Sequence, residues 1–254
     1  MFFIVTIVST VAFMSVGTLA SLTSFASQYR EMNPLGLVYI SESENRLEQV
    51  HIEQLLMELQ EAELDYDLTK LTVLRQTSSF SGGIVDILRL SDINKLAHAF
   101  GYEALQLEKG EALFLPPSTS SYESLNKRTV NTVLEESEVG IKIDGAYPYH
   151  LFAANSIGTN AVVLNDEDFG LAFMKGAREG TKVHSYYAFH IPEWQETKDI
   201  GLTIDDSITE AILTGTANSL SYSFDNPGLS YSIIRTTFSL LLFINGRCGI
   251  ARES

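Results

Sequence analysis

The first 29 residues, MFFIVTIVSTVAFMSVGTLASLTSFASQY, carry no charged side chain, and the first charge is Arg30. Such a stretch constrains the fold more than anything after it. At about 1.5 Å per helical residue, Met1–Leu22 reaches about 33 Å, enough to cross a hydrocarbon core of about 30 Å. Its Ser and Thr hydroxyls can bond back to helix carbonyls, and Gly17 and Ser21 have the small-xxx-small spacing that lets a second helix approach. A cleaved signal would open on a positive region, and this segment has none. A lipoprotein signal would end on a cysteine, and the single cysteine is Cys248. The segment 1–28 therefore reads as a transmembrane helix. Without flanking charges the positive-inside rule gives it no orientation.

The far end turns apolar again. SYSIIRTTFSLLLFI (230–244) ends in a run that leaves no polar face, too short to span by itself. It reads as the start of a second transmembrane helix, cut short. Residues 245–254, NGRCGIARES, are polar and basic and read as a non-native or frameshifted tail. The competing reading is an amphipathic C-terminal helix packed on the domain. Both ends suggest a piece of a longer membrane protein.

Between them lies a domain of opposite character. Of 17 basic and 32 acidic residues, only Arg235, Arg247, Arg252 and Glu253 follow Asp225, so residues 30–225 hold 14 basic against 31 acidic groups. That excludes nucleic acid, whose phosphates need a basic face, and suits cationic ligands. Strands are expected at Leu35–Ile40, Tyr66–Leu74, Ile84–Leu90, Glu111–Leu115, within Val130–Asp144, at Ala161–Asn165 and at Val183–Ile191. Asn45–Glu63 places Leu47, Val50, Ile52, Leu55, Leu56 and Leu59 at helical spacing, which predicts an amphipathic helix. SDINKLAHAFG predicts a helix from a Ser91 cap to a Gly101 stop. Asp166–Lys175 predicts a short helix with an acidic first turn. Glu196–Leu213 predicts a helix with a weak point at Gly201. Ser118–Ser121 is expected to be a loop. Strands and helices mix without a regular βαβ repeat, so the expected fold class is an α+β domain over 29–229.

Enzyme motifs are missing. GAREGTK (176–182) is one residue short of a P-loop, and no dinucleotide fingerprint, G-x-S-x-G or H-E-x-x-H occurs. His184 and His190 fall on one face of a presumed strand, which suits a structural role better than a metal site. The carboxylate clusters are Glu135, Glu136 and Glu138, then Asp166, Glu167 and Asp168, then Asp205 and Asp206. Adjacent carboxylates usually mark helix starts or solvated faces. The first two clusters are nonetheless the candidate contacts for a cationic ligand. No catalytic residue, cofactor site or metal site is expected.

SDINKLAHAFGYEALQLEKGEALFL (91–115) resembles the extracellular domain of Bce-type permeases, the FtsX-like ABC transporter permeases that include bacitracin export permeases of Gram-positive bacteria. MFFIVTIVSTVAFMSVGTLAS is similar to the helix leading into that domain, AVVLNDEDF (161–169) to its later strand-to-helix step, and SYSIIRTTFSLLLFI to the helix returning to the membrane. The likeness runs over residues 1–244. The family has further membrane helices on both sides, and it stays apolar after LLLFI where this chain reads NGRCGIARES. The resemblance implies the membrane subunit of a transporter for antimicrobial-peptide resistance and sensing, multi-pass in the cell membrane, with its central domain extracellular. It implies an ABC ATP-binding subunit that hydrolyses ATP separately and a sensor histidine kinase as partners. The ligand would be an antimicrobial peptide or its complex with a cell-wall lipid intermediate. The alternatives are an FtsX-like permease of the lipoprotein-release or efflux type, or a single-span anchored binding or structural protein.

Overall fold

The computed structural model describes residues 36–42, 46–78, 83–99, 101–115, 130–134, 137–142, 160–179, 181–217 and 222–250. The expected transmembrane helix at 1–28, the loop at 118–121, Glu135, Glu136 and residues 251–254 lie outside them. The domain is a mixed α/β fold built on one sheet of nine strands in the order β5-β6-β4-β7-β3-β2-β8-β1-β9. In chain order these are β1 (Leu37–Glu42), β2 (Asp67–Ser78), β3 (Gly83–Arg89), β4 (Glu111–Leu115), β5 (Val130–Leu134), β6 (Ser137–Lys142), β7 (Asn160–Leu164), β8 (Lys182–His190) and β9 (Tyr222–Asp225). The helices are α1 (Arg46–Glu61), α2 (Leu90–Ala99), α3 (Asp166–Glu179), α4 (Leu202–Leu213) and α5 (Pro227–Ile250).

The centre of the sheet is covered on both faces, which explains why β1 and β8 are buried almost end to end. On one face Ile93 and Leu96 of α2 pack on Val38, Ile40, Leu71, Val73, Tyr186 and Ala188. On the other, Ile52, Leu55 and Leu59 of α1 and Ile204 and Ile208 of α4 pack on Leu37, Tyr39 and Phe189. Farther along that face Phe169 of α3 covers Leu74, Val85, Ile87 and Val162. Each such side chain, taken from water to full burial, contributes about 1.5–3 kcal/mol.

β2 and β3 form a hairpin in which Arg75 stands directly opposite Asp86. The guanidinium gives that carboxylate two bonds, Nε to Oδ1 at 2.8 Å and Nη2 to Oδ2 at 2.9 Å. Its pKa is raised, first by those bonds, against the opposing effect of burial.

Local chemistry sets the helix ends. Gly101 has φ +71°, and the Tyr102 N–H reaches the Ala97 carbonyl at 2.9 Å, closing α2 with a left-handed cap. Glu196–Leu213 is two pieces rather than the one helix its pattern predicts. A 3-10 turn runs from Trp194 to Asp199, the chain bends at Gly201 with φ +75°, and α4 follows. An added Cβ at Gly201 would enter the Phe224 ring.

β9 carries no clear strand signal in the sequence and forms by pairing with β1. α5 continues through 245–250, residues expected to be foreign to it. No helix among the described residues is long and apolar enough to cross a membrane.

Candidate functional site

The pairing directions gather several elements at one end of the sheet. β8 and β9 both run antiparallel to β1, β3 runs parallel to β7, and β2 runs antiparallel to both β3 and β8. Hence β3, β7, β8 and β9 all finish at the same end. α2, α3 and α5 start there within two residues, and α4 starts there after the 3-10 turn. Helix starts present unpaired N–H groups and the positive end of the helix dipole. Acidic side chains gather there for that reason.

Asp166, Glu167 and Asp168 form the first turn of α3. Asn165 caps the helix, its Oδ1 accepting the Asp168 N–H at 2.9 Å. Asp166 accepts the Ser91 N–H from the start of α2 at 2.9 Å, and Asp168 accepts the Gly110 N–H at 2.7 Å. The two carboxylates thus tie α3 to α2 and to the turn before β4. Glu167 points outward and pairs with Lys109 at 2.7 Å, both side chains more than 60% exposed. That Lys109 pKa is raised, first by its bond to Glu167.

Asp168→Ala should therefore lower unfolding stability by about 1 kcal/mol, through the lost carboxylate–amide bond. Glu167→Gln should leave stability unchanged in the same urea titration, because such an exposed pair is screened by water. Equal losses in the two variants would refute this division of labour.

Glu138 lies in β6, at the register position opposite Val133 of β5. β6 and β7 are separated by β4, so Glu138 lies on a strand two places from the one that leads into α3, about 10 Å laterally. His184 and His190 share a face but stand six residues apart, about 20 Å along the strand, too far for one ion. No group of three metal-binding side chains occurs among the described residues.

A clamp at the same end fixes the start of α5. The Asn226 amide donates to the carbonyls of Thr197 and Ile200, both at 2.8 Å, and its oxygen accepts the Leu229 N–H at 3.0 Å. Trp194 meets Tyr231 edge to face, with ring centroids 5.4 Å apart. Beside it is a small cleft of about 180 Å³ lined in part by Gly201, Asp205, Phe224 and Asp225. Burial pushes the Asp225 carboxyl pKa up.

Sequence reasoning missed a second polar centre, beneath α1. Glu48 takes hydrogen bonds from Tyr187 Oη at 2.5 Å, Ser41 Oγ at 2.9 Å and Lys70 Nζ at 3.1 Å. Burial alone would raise its carboxyl. The bonds from Tyr187, Ser41, Lys70 and Ser185 outweigh burial and hold the pKa below its ordinary value. Burial and the bond to Glu48 push the Tyr187 phenol up. One turn on, His51 Nδ1 lies 2.8 Å from Tyr39 Oη, and burial lowers its pKa. The available signal was the polar pair Glu48 and His51, three residues apart between the apolar positions.

No family model matches the chain, and no curated protein matches it. Among solved structures, a crystal structure from Bacillus anthracis described as a "putative lipoprotein" is similar with a TM-score of 0.37 and 8% identity. The match covers 74% of this chain and 95% of that one. At that level the likeness carries no argument about fold or activity.

Proposed function

We propose that this domain is the extracellular ligand-recognition part of an FtsX-like ABC transporter permease of the Bce type, serving resistance to and sensing of antimicrobial peptides. One observation carries the reading. Val38, where the chain comes into the sheet, pairs directly with Asp225, where it leaves. Neighbouring strands stand about 5 Å apart, so the chain enters and leaves the sheet side by side. A domain inserted between two successive membrane helices requires that arrangement. The Asn226 clamp holds the departing helix to the body.

In this reading the junction end faces the membrane. Glu61, Glu63, Asp65 and Asp67 are exposed there, along with Glu167. That field draws a cationic peptide toward the lipid surface. ATP hydrolysis belongs to a separate subunit, and a sensor kinase reads the loaded state. The second reading is a single-span membrane-anchored binding module.

Sequencing the source DNA on both sides of the reading frame separates the two. Membrane-helix codons upstream, an apolar continuation of LLLFI downstream and an adjacent ATP-binding-subunit gene are expected. A natural stop after Ser254 with no such neighbours would leave the anchored module. Binding of a cationic peptide antibiotic to the purified protein is expected to weaken about tenfold or more from low to high salt. Affinity indifferent to salt would remove charge as the driver.

A further inference from the structure

β9 closes one edge of the sheet. Among the described residues it pairs with β1 alone. In an antiparallel pair every second residue turns its N–H and C=O away from the partner, so the outer side of β9 offers a short row of donors and acceptors. Tyr222–Asp225 holds neither the lysine nor the proline that blunts many such edges.

The cleft of about 180 Å³ lies against the end of this strand. Phe224 and Asp225 of β9 line it, with Leu202 and Asp205 from the start of α4 and Leu229 and Ser230 from the first turn of α5. At about 30 Å³ per water it has room for about six. That suits one long side chain and falls well below a drug-sized ligand. Leu202, Phe224 and Leu229 offer apolar walls to a methylene stem, and Asp205 and Asp225 offer charge to its head.

We propose that β9 and this cleft form the docking site of an extended basic peptide segment, which adds a strand to the outer edge of β9 and lodges one lysine or arginine side chain in the cleft.

The site is the place at which the recognition domain proposed above takes its cationic ligand, and it rests on that reading. Charge complementarity selects the occupant. Burial disfavours the charged form of Asp225, and no cation or donor among the described residues offsets that cost. An ammonium or guanidinium in the cleft does so. The first α5 amides, which would favour an anion, are taken. Leu229 N–H donates to the Asn226 side-chain oxygen at 3.0 Å, and Ser230 N–H to the Asn226 carbonyl at 3.3 Å. In strand addition the backbone bonds supply affinity, and a side-chain seat of this kind supplies specificity.

The test titrates the full chain, by calorimetry, with the capped peptide Thr-Val-Thr-Val-Lys-Val-Thr. Replacing its lysine by norleucine should weaken binding about tenfold or more, the loss of one charge-assisted contact; this arm needs no altered protein. Asp205→Asn with Asp225→Asn should weaken the lysine peptide by a similar factor and leave the norleucine peptide unchanged. Two further peptides carry N-methyl groups on the odd or on the even residues. One pattern should abolish binding and the other spare it, because an added strand uses every second amide. Absence of binding, equal affinity for lysine and norleucine, or equal effects of the two methylation patterns overturns the proposal. A cationic peptide antibiotic that binds the protein and ignores both Asn substitutions overturns the site and leaves the reading of the domain standing. If neither the antibiotic nor the lysine peptide binds, both fall.

Discussion

Arg75→Met is expected to cost about 3–5 kcal/mol of unfolding free energy, the penalty for leaving a buried charge without its partner. Asp86 is fully buried in the strand that pairs with β2, and Arg75 supplies both of the bonds described above. Removing the cation takes both of those bonds from a carboxylate that stays buried on the sheet face it shares with Leu88. Urea denaturation of the single variants and of Arg75→Met with Asp86→Leu gives the coupling directly. The double variant should recover most of the loss, because an apolar pair of similar volume carries no desolvation cost. A loss below about 1 kcal/mol in Arg75→Met would mean that water reaches Asp86 and that the pair behaves as a surface one.

Gly228→Ala is expected to pull α5 away from the 3-10 turn. An added Cβ would sit 2.5 Å from the Trp194 carbonyl oxygen and 2.9 Å from the Lys198 nitrogen, besides meeting Thr197 Oγ1. Two of those neighbours are backbone, so no rotamer change relieves the overlap, and one of the two elements must shift. Such overpacking costs about 1–3 kcal/mol. The chain has a single tryptophan, and Trp194 is buried against Tyr231. Its fluorescence therefore reports the clamp alone, and a red shift should accompany the loss of stability. Emission and stability both unchanged would show that the start of α5 is loosely held, and would weaken the view that this helix moves with the domain.

Much of the secondary structure was legible in the sequence because its signals are local. The apolar spacing of α2, its Gly101 stop, the EALFL strand and the acidic start of α3 each depend on residues a few positions apart. The reading of α1 failed in part for a physical reason. Helical spacing reveals which residues share a stripe, and Glu48, Ile52, Leu55 and Leu59 recur at intervals of four, three and four, with Val50 about 140° round from Leu55. It does not reveal that a carboxylate in that stripe turns inward because three strands beneath it offer Ser41, Lys70 and Tyr187. The carboxylates of 166–168 were legible as a cluster and as a helix start. Their use as ties to Ser91 and Gly110 was not, because those amides are 75 and 58 residues away.

The sequence by itself determined the apolar head, the acidic middle, the missing enzyme motifs and most of the elements, since composition and short-range periodicity are properties of the chain. Only the tertiary structure decided the strand order, the pairing of Val38 with Asp225, the buried Arg75–Asp86 bond and the polar seat beneath α1. Each joins residues distant in sequence, and such contacts are selected by mutual burial and hydrogen-bond satisfaction across the whole sheet. β9 is the plainest case. Four residues of ordinary composition become a strand because β1 leaves an edge whose N–H and C=O groups need partners.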